Sequence, residues 1–242
     1  MSQDSSMKLA LCLSGQPRSY RKAYEYIHKN LLNPYCVDVF AHAWRPTGSK
    51  IFIFSDIQNL YKPVLFTMEE SLPENINSDL FVPNASHPAN FCTSMFYSIF
   101  RSDILRTKTG AYSETKYDFV VRSRFDIALN KVIDFKQLKK GVVYVPKDIE
   151  DTNALLNDQF AIADPDTMSI YSSTYLFLKW HASRGVPLCG HAMLEAQLKN
   201  FNIPVERLDI DHPFNDGKFN IGRHSIIRDD MNKWVDIKIW GY

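Results

Sequence analysis

The sequence predicts an α/β fold, a mostly parallel sheet flanked by helices in a single compact domain. Short apolar runs alternate with segments whose apolar residues recur at helical spacing, which is the pattern of strands joined by crossover helices. The chain has 242 residues, a length that one domain can organise around its own core. Hydrophobic residues make up 45% and charged residues 23%, which is typical of a globular protein.

The N-terminal region begins this alternation. We expect residues 1–6 to be a flexible polar leader and residues 7–242 to form the domain. The apolar run at 8–13 predicts the first strand, which a short turn follows. A helix with Pro17 in its first turn is predicted next and ends near Asn33. Four apolar residues share one face of that helix: Tyr20, Tyr24, Ile27 and Leu31.

Later segments complete the predicted sheet and its helices. Strands are predicted at 37–44, 62–67, 117–124, 142–145, 158–163 and 203–210. Helices are predicted at 90–106, 164–180 and 190–200, and loops at 45–60, 71–90 and 147–157. In parallel sheets ligands bind beyond the carboxyl ends of the strands. The polar residues that follow each strand are therefore the candidate site residues.

Composition excludes several classes of protein. The formal net charge is +1, so the chain has no basic surplus of the kind that nucleic-acid binding requires. No apolar run approaches the length of a membrane span. None of the four cysteines lies in CxxC spacing, and each sits in an apolar context, so we expect buried free thiols. Together these features favour a cytoplasmic location.

The first candidate site is the segment Ser14-Gly15-Gln16-Pro17-Arg18, which follows the first strand. A small-residue turn between a strand and a helix points backbone N–H groups towards an anion, and Arg18 adds a donor fork suited to phosphate. The segment matches neither a dinucleotide fingerprint nor a P-loop. An ordinary turn with a surface arginine remains the alternative interpretation.

The second candidate lies at the end of the strand predicted at 117–124. Side chains alternate in a strand, so Arg122, Arg124 and Asp126 share one face. Burying such charges is costly without partners, and a phosphorylated ligand with a divalent cation would supply them. The alternative is an internal ladder of ion pairs that stabilises the sheet.

Two further places offer a carboxylate for acid–base chemistry. Asp158 and Gln159 precede an apolar strand, where they could hydrogen-bond sugar hydroxyls and Asp158 could act as a general base. A capped turn is the alternative for this pair. Glu195, in the helix at 190–200, is a second candidate for a base or an acceptor contact, although a solvated helix residue is the simpler interpretation.

The histidines give weaker signals. His42 lies on an apolar strand and is expected to be a core residue. His224, near Asp216 in the polar C-terminal region, could close over a metal–phosphate site. Neither HExxH nor HxH occurs, so the sequence does not predict a zinc site built from histidines. The aromatic segment at 234–242 is either a packed tail or an exposed platform for an acceptor.

Five motifs between residues 8 and 165 resemble a group of glycosyltransferases from bacteria and large DNA viruses, for which the GT-A nucleotide-sugar fold is expected. The most specific is Arg-x-Arg-x-Asp, which looks like that family's version of the DxD strand end, with Arg124 in the first acidic position. The five motifs are LSGQPR at 13–18, DVFAHAW at 38–44, SMFYS at 94–98, YDFVVRSRFD at 117–126 and NDQF at 157–160.

The resemblance implies transfer of a hexosyl or pentosyl group from a UDP- or GDP-sugar to a glycan or another hydroxyl acceptor. Residues 7–130 would form the nucleotide-sugar half and 131–242 the acceptor half, in the cytoplasm, or in the host cytoplasm if the protein is viral. The donor would contact Ser14, Gly15, Gln16, Arg18, Arg122, Arg124 and Gln159. Asp126, with His224, would ligate Mn²⁺ or Mg²⁺. Asp158 and Glu195 are the candidate bases for an inverting reaction, and a retaining reaction stays open.

Two other classes of function remain open at this level. A sugar nucleotidyltransferase would use similar metal–phosphate chemistry, but the turn at 14–18 lacks the lysine and the glycine-rich loop that such enzymes carry. A non-catalytic carbohydrate-binding protein would use the aromatic tail and would be indifferent to replacement of Asp126.

Overall fold

A computed structural model describes residues 4–45, 52–80, 89–113, 115–129, 131–146, 156–208 and 225–226. The helices are α1 (Tyr20–Ile27), α2 (Phe52–Tyr61), α3 (Ala89–Ser113), α4 (Pro165–Ser172), α5 (Thr174–Ser183) and α6 (Gly190–Asn200). The strands are β1 (Asp4–Gly15), β2 (Tyr35–Trp44), β3 (Leu65–Glu69), β4 (Phe119–Arg124), β5 (Ile127–Ala128), β6 (Val143–Pro146), β7 (Phe160–Ala163), β8 (Val205–Leu208) and β9 (Ser225–Ile226). A π-helical segment, His28–Leu32, follows α1, and 3-10 turns occupy Ser78–Leu80 and Phe135–Gln137.

The main sheet has seven strands in the order β3-β2-β1-β4-β7-β6-β8. Strands β3, β2, β1 and β4 are parallel, whereas β7 runs antiparallel to both β4 and β6. The chain moves outward from β1 to β3 and then returns to place β4 on the other side of β1. This reversal creates a topological switch point between β1 and β4, where open α/β sheets bind ligands. The predicted α/β class with a mostly parallel sheet is confirmed.

The core lies on both faces of the sheet. On β1, Leu9, Leu11 and Leu13 pack with α1 and α2, whereas Ala10 and Cys12 pack under α3 to α6. All five side chains are buried. Because β1 is covered on both faces, its sequence is a continuous apolar run and shows no alternation of apolar and polar residues.

The structure differs from the sequence-based expectation in several places. Helix α2 occupies most of the segment predicted as the loop 45–60, and its Ile57 and Tyr61 pack into the core at helical spacing. The predicted helix 164–180 is two helices that meet at Ser173. Strand β1 begins at Asp4, inside the expected leader, with an irregular register between Asp4 and Lys8.

No helix within the described ranges is both long enough and apolar enough to cross a membrane. All four cysteines are free. Cys12 and Cys92 are buried as expected, whereas Cys36 and Cys189 are partly exposed.

Candidate active site at the switch point

The candidate site lies where β1 and β4 end side by side. Ser14 is aligned with Arg124 on one side and with His42 of β2 on the other, and His42 is aligned with Thr67 of β3. The backbone N–H of Arg124 donates to the carbonyl oxygen of Gln159 at 3.2 Å, and Gln159 directly precedes β7. Five polar residues therefore form one row across the sheet at its carboxyl edge. We call it the polar row.

Below the polar row, the same face of the sheet is mostly apolar. The next row contains Phe40, Cys12 and Ala161, which belong to the buried cluster under α3 to α6. Arg122 occupies the β4 position in that row, aligned with Cys12 and Ala161. A guanidinium group therefore lies one layer beneath the surface of the site.

Several side chains in and around the polar row have buried polar atoms without a hydrogen-bond partner. A buried polar atom without a partner costs about 1–3 kcal/mol, so native proteins keep few of them. Their concentration at one place favours a site that contacts a polar ligand or water. The atoms are Ser14 Oγ, His42 Nε2, Thr67 Oγ1, Arg122 Nε, Gln159 Oε1 and Tyr171 OH.

Arg122 is the most deeply buried charged residue of this group. Its side chain is 1% exposed, and its Nη1–H donates to the backbone carbonyl oxygen of Asp158. Burial lowers the pKa of Arg122, and the neighbouring Tyr171 and Asp158 oppose that shift. Arg122 thus holds the backbone of Asp158 in place. The sequence predicted that Arg122 would contact the donor, and the structure shows that it also supports the neighbouring segment of the site.

Arg124 and Asp126 form a bidentate ion pair at the end of β4. The Nε and Nη2 groups of Arg124 donate to the two carboxylate oxygens at 2.8 and 2.6 Å. Asp126 is buried, whereas 27% of the Arg124 side chain is exposed. Burial acts to lower the pKa of Arg124, but the Asp126 carboxylate outweighs it and raises that pKa. The exposed member of this pair is therefore the positively charged Arg124.

The described residues do not fit a divalent cation at this place. Both oxygens of Asp126 already accept from Arg124, and no group of three or more His, Cys, Asp or Glu side chains in the described ranges could hold a metal ion. His224 and Asp216 lie outside the described residues. The exposed charge at the end of β4 is positive, since Arg124 is partly exposed and Asp126 is buried against it.

Asp158 lies between β4 and the first turn of α6. Its backbone accepts from Arg122, and its carboxylate packs against Gly190, the first residue of α6. Asn157 shapes the turn, because its Oδ1 accepts from the N–H of Gln159 at 2.9 Å. His191 Nδ1 lies 2.5 Å from the carbonyl oxygen of Leu156, which ties α6 to the same segment. Asp158 is partly exposed.

The turn after β1 is held by contacts with α3. The N–H of Gly15 donates to Ser98 Oγ at 2.7 Å, and Ser98 Oγ lies 2.8 Å from Nδ1 of His42. Gly15 has φ +108°, a conformation that favours glycine. Gln16 and Arg18 are exposed beyond it, and α1 begins only at Tyr20, so Pro17 lies before the helix and not in its first turn.

His42 is fully buried, as expected of a core residue, but it belongs to a polar network. Its Nε2 lies 3.6 Å from Glu69, which also accepts from Arg101 and from the hydroxyl group of Tyr97. Burial lowers the pKa of His42 to about 4, with Glu69 opposing the shift, so the ring is neutral at physiological pH. The sequence did not identify His42, Thr67, Ser98 or Tyr171 as parts of a site.

Glu195 pairs with its own helix instead of with the residues of the site. Its carboxylate pairs with Lys199 at 2.6 Å one helical turn further along α6, and 44% of its side chain is exposed. The aromatic segment at 234–242 lies outside the described residues. Of the two candidate bases, only Asp158 lies beside the arginines of β4.

Comparison with solved structures finds similarity to 153 chains. A crystal structure described as a glycosyltransferase involved in the glycosylation of the major capsid of PBCV-1 superposes with a TM-score of 0.41 and 12% sequence identity. The alignment covers 84% of this chain and 82% of that chain. A similarity of this size does not by itself assign an activity. No curated protein sequence matches the chain.

A family model does match most of the chain. Residues 4–215 match the model described as "Domain of unknown function (DUF7796)", a range that contains the polar row, the β4 arginines and Asp158. The chain belongs to the DUF7796 family.

Proposed function

We propose that this protein is a glycosyltransferase that moves a sugar from a nucleoside-diphosphate sugar to a hydroxyl acceptor at the carboxyl edge of the sheet. The observation that carries the proposal is the placement of Arg124 at the β1–β4 switch point, facing the turn after β1 and adjacent to Asp158. The glycosyltransferase-like motifs in the sequence support the same assignment.

Arg124 suits the diphosphate of such a donor. A guanidinium group binds phosphate through parallel N–H donors, and the exposed part of Arg124 keeps its charge because Asp126 orients it from behind. When the bond to the sugar breaks, negative charge accumulates on the departing diphosphate, and a fixed cation at that point stabilises the transition state. In this proposal the arginines supply that charge, and no step depends on a metal ion.

Asp158 suits the acceptor side of the reaction. A general base must lie within hydrogen-bond reach of the hydroxyl group that it deprotonates, and it must be accessible to the acceptor. Asp158 is partly exposed, and its backbone is fixed by Arg122. Gln159, the next residue, has an unpartnered Oε1 that suits a sugar hydroxyl group.

The proposed reaction is a single displacement at the anomeric carbon of the donor sugar. The acceptor oxygen forms a bond to that carbon, the bond from the carbon to the diphosphate oxygen breaks, and the acceptor proton passes to the carboxylate of Asp158. The nucleoside diphosphate leaves with its electron pair. The transition state has oxocarbenium character, as in glycoside hydrolysis. This single displacement inverts the configuration of the sugar.

The test is release of nucleoside diphosphate from UDP-, GDP- and dTDP-sugars, and of CMP from CMP-sugars, with water or free glycans as acceptors. We expect release from one class of nucleoside-diphosphate sugar and not from CMP-sugars, with loss of release in Arg124→Ala, provided circular dichroism shows that the variant folds. Tight donor binding without release would instead indicate a carbohydrate-binding protein. Pyrophosphate release from a nucleoside triphosphate and a sugar phosphate would indicate a nucleotidyltransferase. Either result would contradict the proposal.

A further inference from the structure

We infer that Gly190 is a positioning residue for Asp158: the absence of a side chain at the first residue of α6 lets the Asp158 carboxylate occupy its place beside the β4 arginines. This inference rests on the proposed function, because it assigns Gly190 to the base of that reaction. No sequence motif pointed to Gly190. The contact joins two segments that are about thirty residues apart in the sequence.

The evidence is the space around Gly190. A β-carbon built on this residue would overlap Oδ2 of Asp158 and would lie 3.0 Å from its Cγ. Cε of Met95, on α3, would also lie 3.0 Å away. The carboxylate of Asp158 is therefore packed directly against the backbone of α6, at the end of the helix where partial positive charge favours an anion.

The backbone at Gly190 does not itself require glycine. Gly190 begins α6, and its φ lies outside the positive range that L-residues avoid, in contrast to Gly15, Gly141 and Gly185. Alanine has a higher helix propensity than glycine, so conformation alone would favour alanine at this place. The contact with Asp158 is thus the feature of the structure that accounts for glycine.

An alanine at this position would move the carboxylate and leave the fold intact. The atoms that a β-carbon would meet are the ends of two side chains, Asp158 and Met95, and not backbone atoms. Side-chain ends can rotate away, whereas the backbone of Asp158 stays held by Arg122 through its carbonyl oxygen. Because misplacement of a catalytic group by about 1 Å can cost on the order of 100-fold in rate, we expect a loss of that size in Gly190→Ala.

Gly110 provides a matched control. It also lies in a helix, α3, and a β-carbon there would meet only the carbonyl oxygen of Thr115, at 3.5 Å, which is an ordinary contact. Gly110→Ala should therefore keep the wild-type rate. It should also raise the melting temperature by about 2–4 °C, because alanine stabilises a helix interior relative to glycine.

The experiment is a double-mutant cycle of Gly190→Ala and Asp158→Ala, read out by thermal unfolding without ligand and by release of nucleoside diphosphate from the donor that the wild type uses. If Gly190 acts through Asp158, Gly190→Ala lowers kcat about 100-fold, leaves the donor KM within about threefold, and has no further effect on release when Asp158 is already alanine. Gly190→Ala is also expected to lower the melting temperature of the wild type, where it displaces the carboxylate, but not that of Asp158→Ala, where the carboxylate is gone.

Two results would overturn the inference. One is an equal effect of Gly190→Ala in both backgrounds, which would assign the glycine to the helix alone. The other is wild-type turnover in Gly190→Ala. If the proposed function is wrong, the wild type will cleave no donor. The melting temperatures of the four proteins will then still show whether Gly190 and Asp158 are coupled.

Discussion

Asp158 and Glu195 are both carboxylates, but the structure gives them different surroundings. Glu195 is paired with Lys199 on the surface of α6, whereas Asp158 is held by Arg122 and packed against Gly190. A base that takes the acceptor proton contributes about 100-fold to 10,000-fold to the rate. We therefore expect Asp158→Asn to lower turnover by at least about 100-fold with little change in donor affinity.

The parallel variant Glu195→Gln distinguishes the two candidates. We expect it to stay within about twofold of the wild-type rate, since a surface ion pair within one helix contributes little to stability. Steady-state measurement of kcat and KM for both variants tests the assignment. A large loss of kcat in Glu195→Gln together with a wild-type kcat in Asp158→Asn would identify Glu195 as the base and contradict the assignment to Asp158.

His42 makes a prediction about the dependence of stability on pH. Burial lowers its pKa in the folded protein to about 4, whereas an exposed histidine in the unfolded chain has a pKa near 6.5. As the pH falls below about 6.5 the unfolded chain takes up a proton that the folded protein refuses until about pH 4. Stability is therefore lost over this interval, by roughly 3 kcal/mol when the whole shift is expressed.

The measurement is urea unfolding of the wild type and of His42→Gln at intervals between pH 7 and pH 4.5. Other groups contribute equally to both proteins, so the difference between the two curves isolates His42. We expect the free energy of unfolding of the wild type to fall relative to that of His42→Gln as the pH falls. Curves that stay parallel over the whole range would mean that His42 keeps an ordinary pKa.

At the level of single elements, the start of α4 is capped by Asp164. Oδ1 of Asp164 accepts from the N–H groups of Asp166 and Thr167, and Oδ2 accepts from the N–H of Gly141 and from the hydroxyl group of Thr167. Burial acts to raise the pKa of Asp164, but these four donors outweigh it and lower that pKa. The cap thus joins α4 to the turn before β6.

Asp164→Ala should lower the free energy of unfolding by about 2 kcal/mol, at the upper end for a lost N-cap, because the N–H of Gly141 also loses its acceptor. Asp166→Ala is the matched control, since Asp166 is exposed in the first turn of the same helix. Removing that charge should cost only a few tenths of a kcal/mol. Urea unfolding of the two variants measures both values, and equal losses would show that the cap contributes no more than surface charge.

Local sequence patterns were sufficient to predict most elements, but not the direction in which strands pair. The apolar runs of β1, β2, β4 and β6 and the helical spacing of α1 and α6 are local signals, and the structure confirms these elements. The antiparallel direction of β7 is decided by its neighbours β4 and β6. Helix α2 was missed because the segment before it contains loop-forming residues that obscured the spacing of Ile57 and Tyr61.

The same distinction separates the site residues that sequence analysis identified from those that it missed. Arg122 and Arg124 follow from alternation within one strand. The polar row does not, because the alignment of Ser14 with His42 and of His42 with Thr67 depends on the register between strands. No local pattern could identify Gly190, because the need for glycine there comes from the side chain of Asp158, which is distant in the sequence.

At the scale of the whole molecule, the sheet brings distant segments to one edge. The turn after β1, the end of β4, the segment before β7 and the start of α6 meet at the switch point. Arg124 and Asp158 are partly exposed there, and Arg122 lies buried beneath them. A nucleotide sugar needs these two kinds of group, cations for the diphosphate and a base for the acceptor.

Removal of divalent metal tests this arrangement as a whole. Because Asp126 is committed to Arg124 and the described residues assemble no metal site, donor binding should persist in EDTA. A donor affinity in EDTA within about threefold of that with Mn²⁺, measured by calorimetry, is the expected result. A loss of binding in EDTA would mean that residues outside the described ranges complete a metal centre.

The most direct test of the central claim is the melting temperature of the protein with UDP-, GDP-, CMP- and dTDP-sugars, in EDTA, for the wild type and Arg124→Lys. Lysine keeps the charge opposite Asp126 but loses the fork that binds phosphate. A donor at about 100 times its Kd adds roughly 2.7 kcal/mol, or about 5–10 °C for a domain of this size. We expect such a shift with one class of nucleoside-diphosphate sugar and a much smaller one in the variant. An equal shift in both proteins, or no shift with any donor, would contradict it.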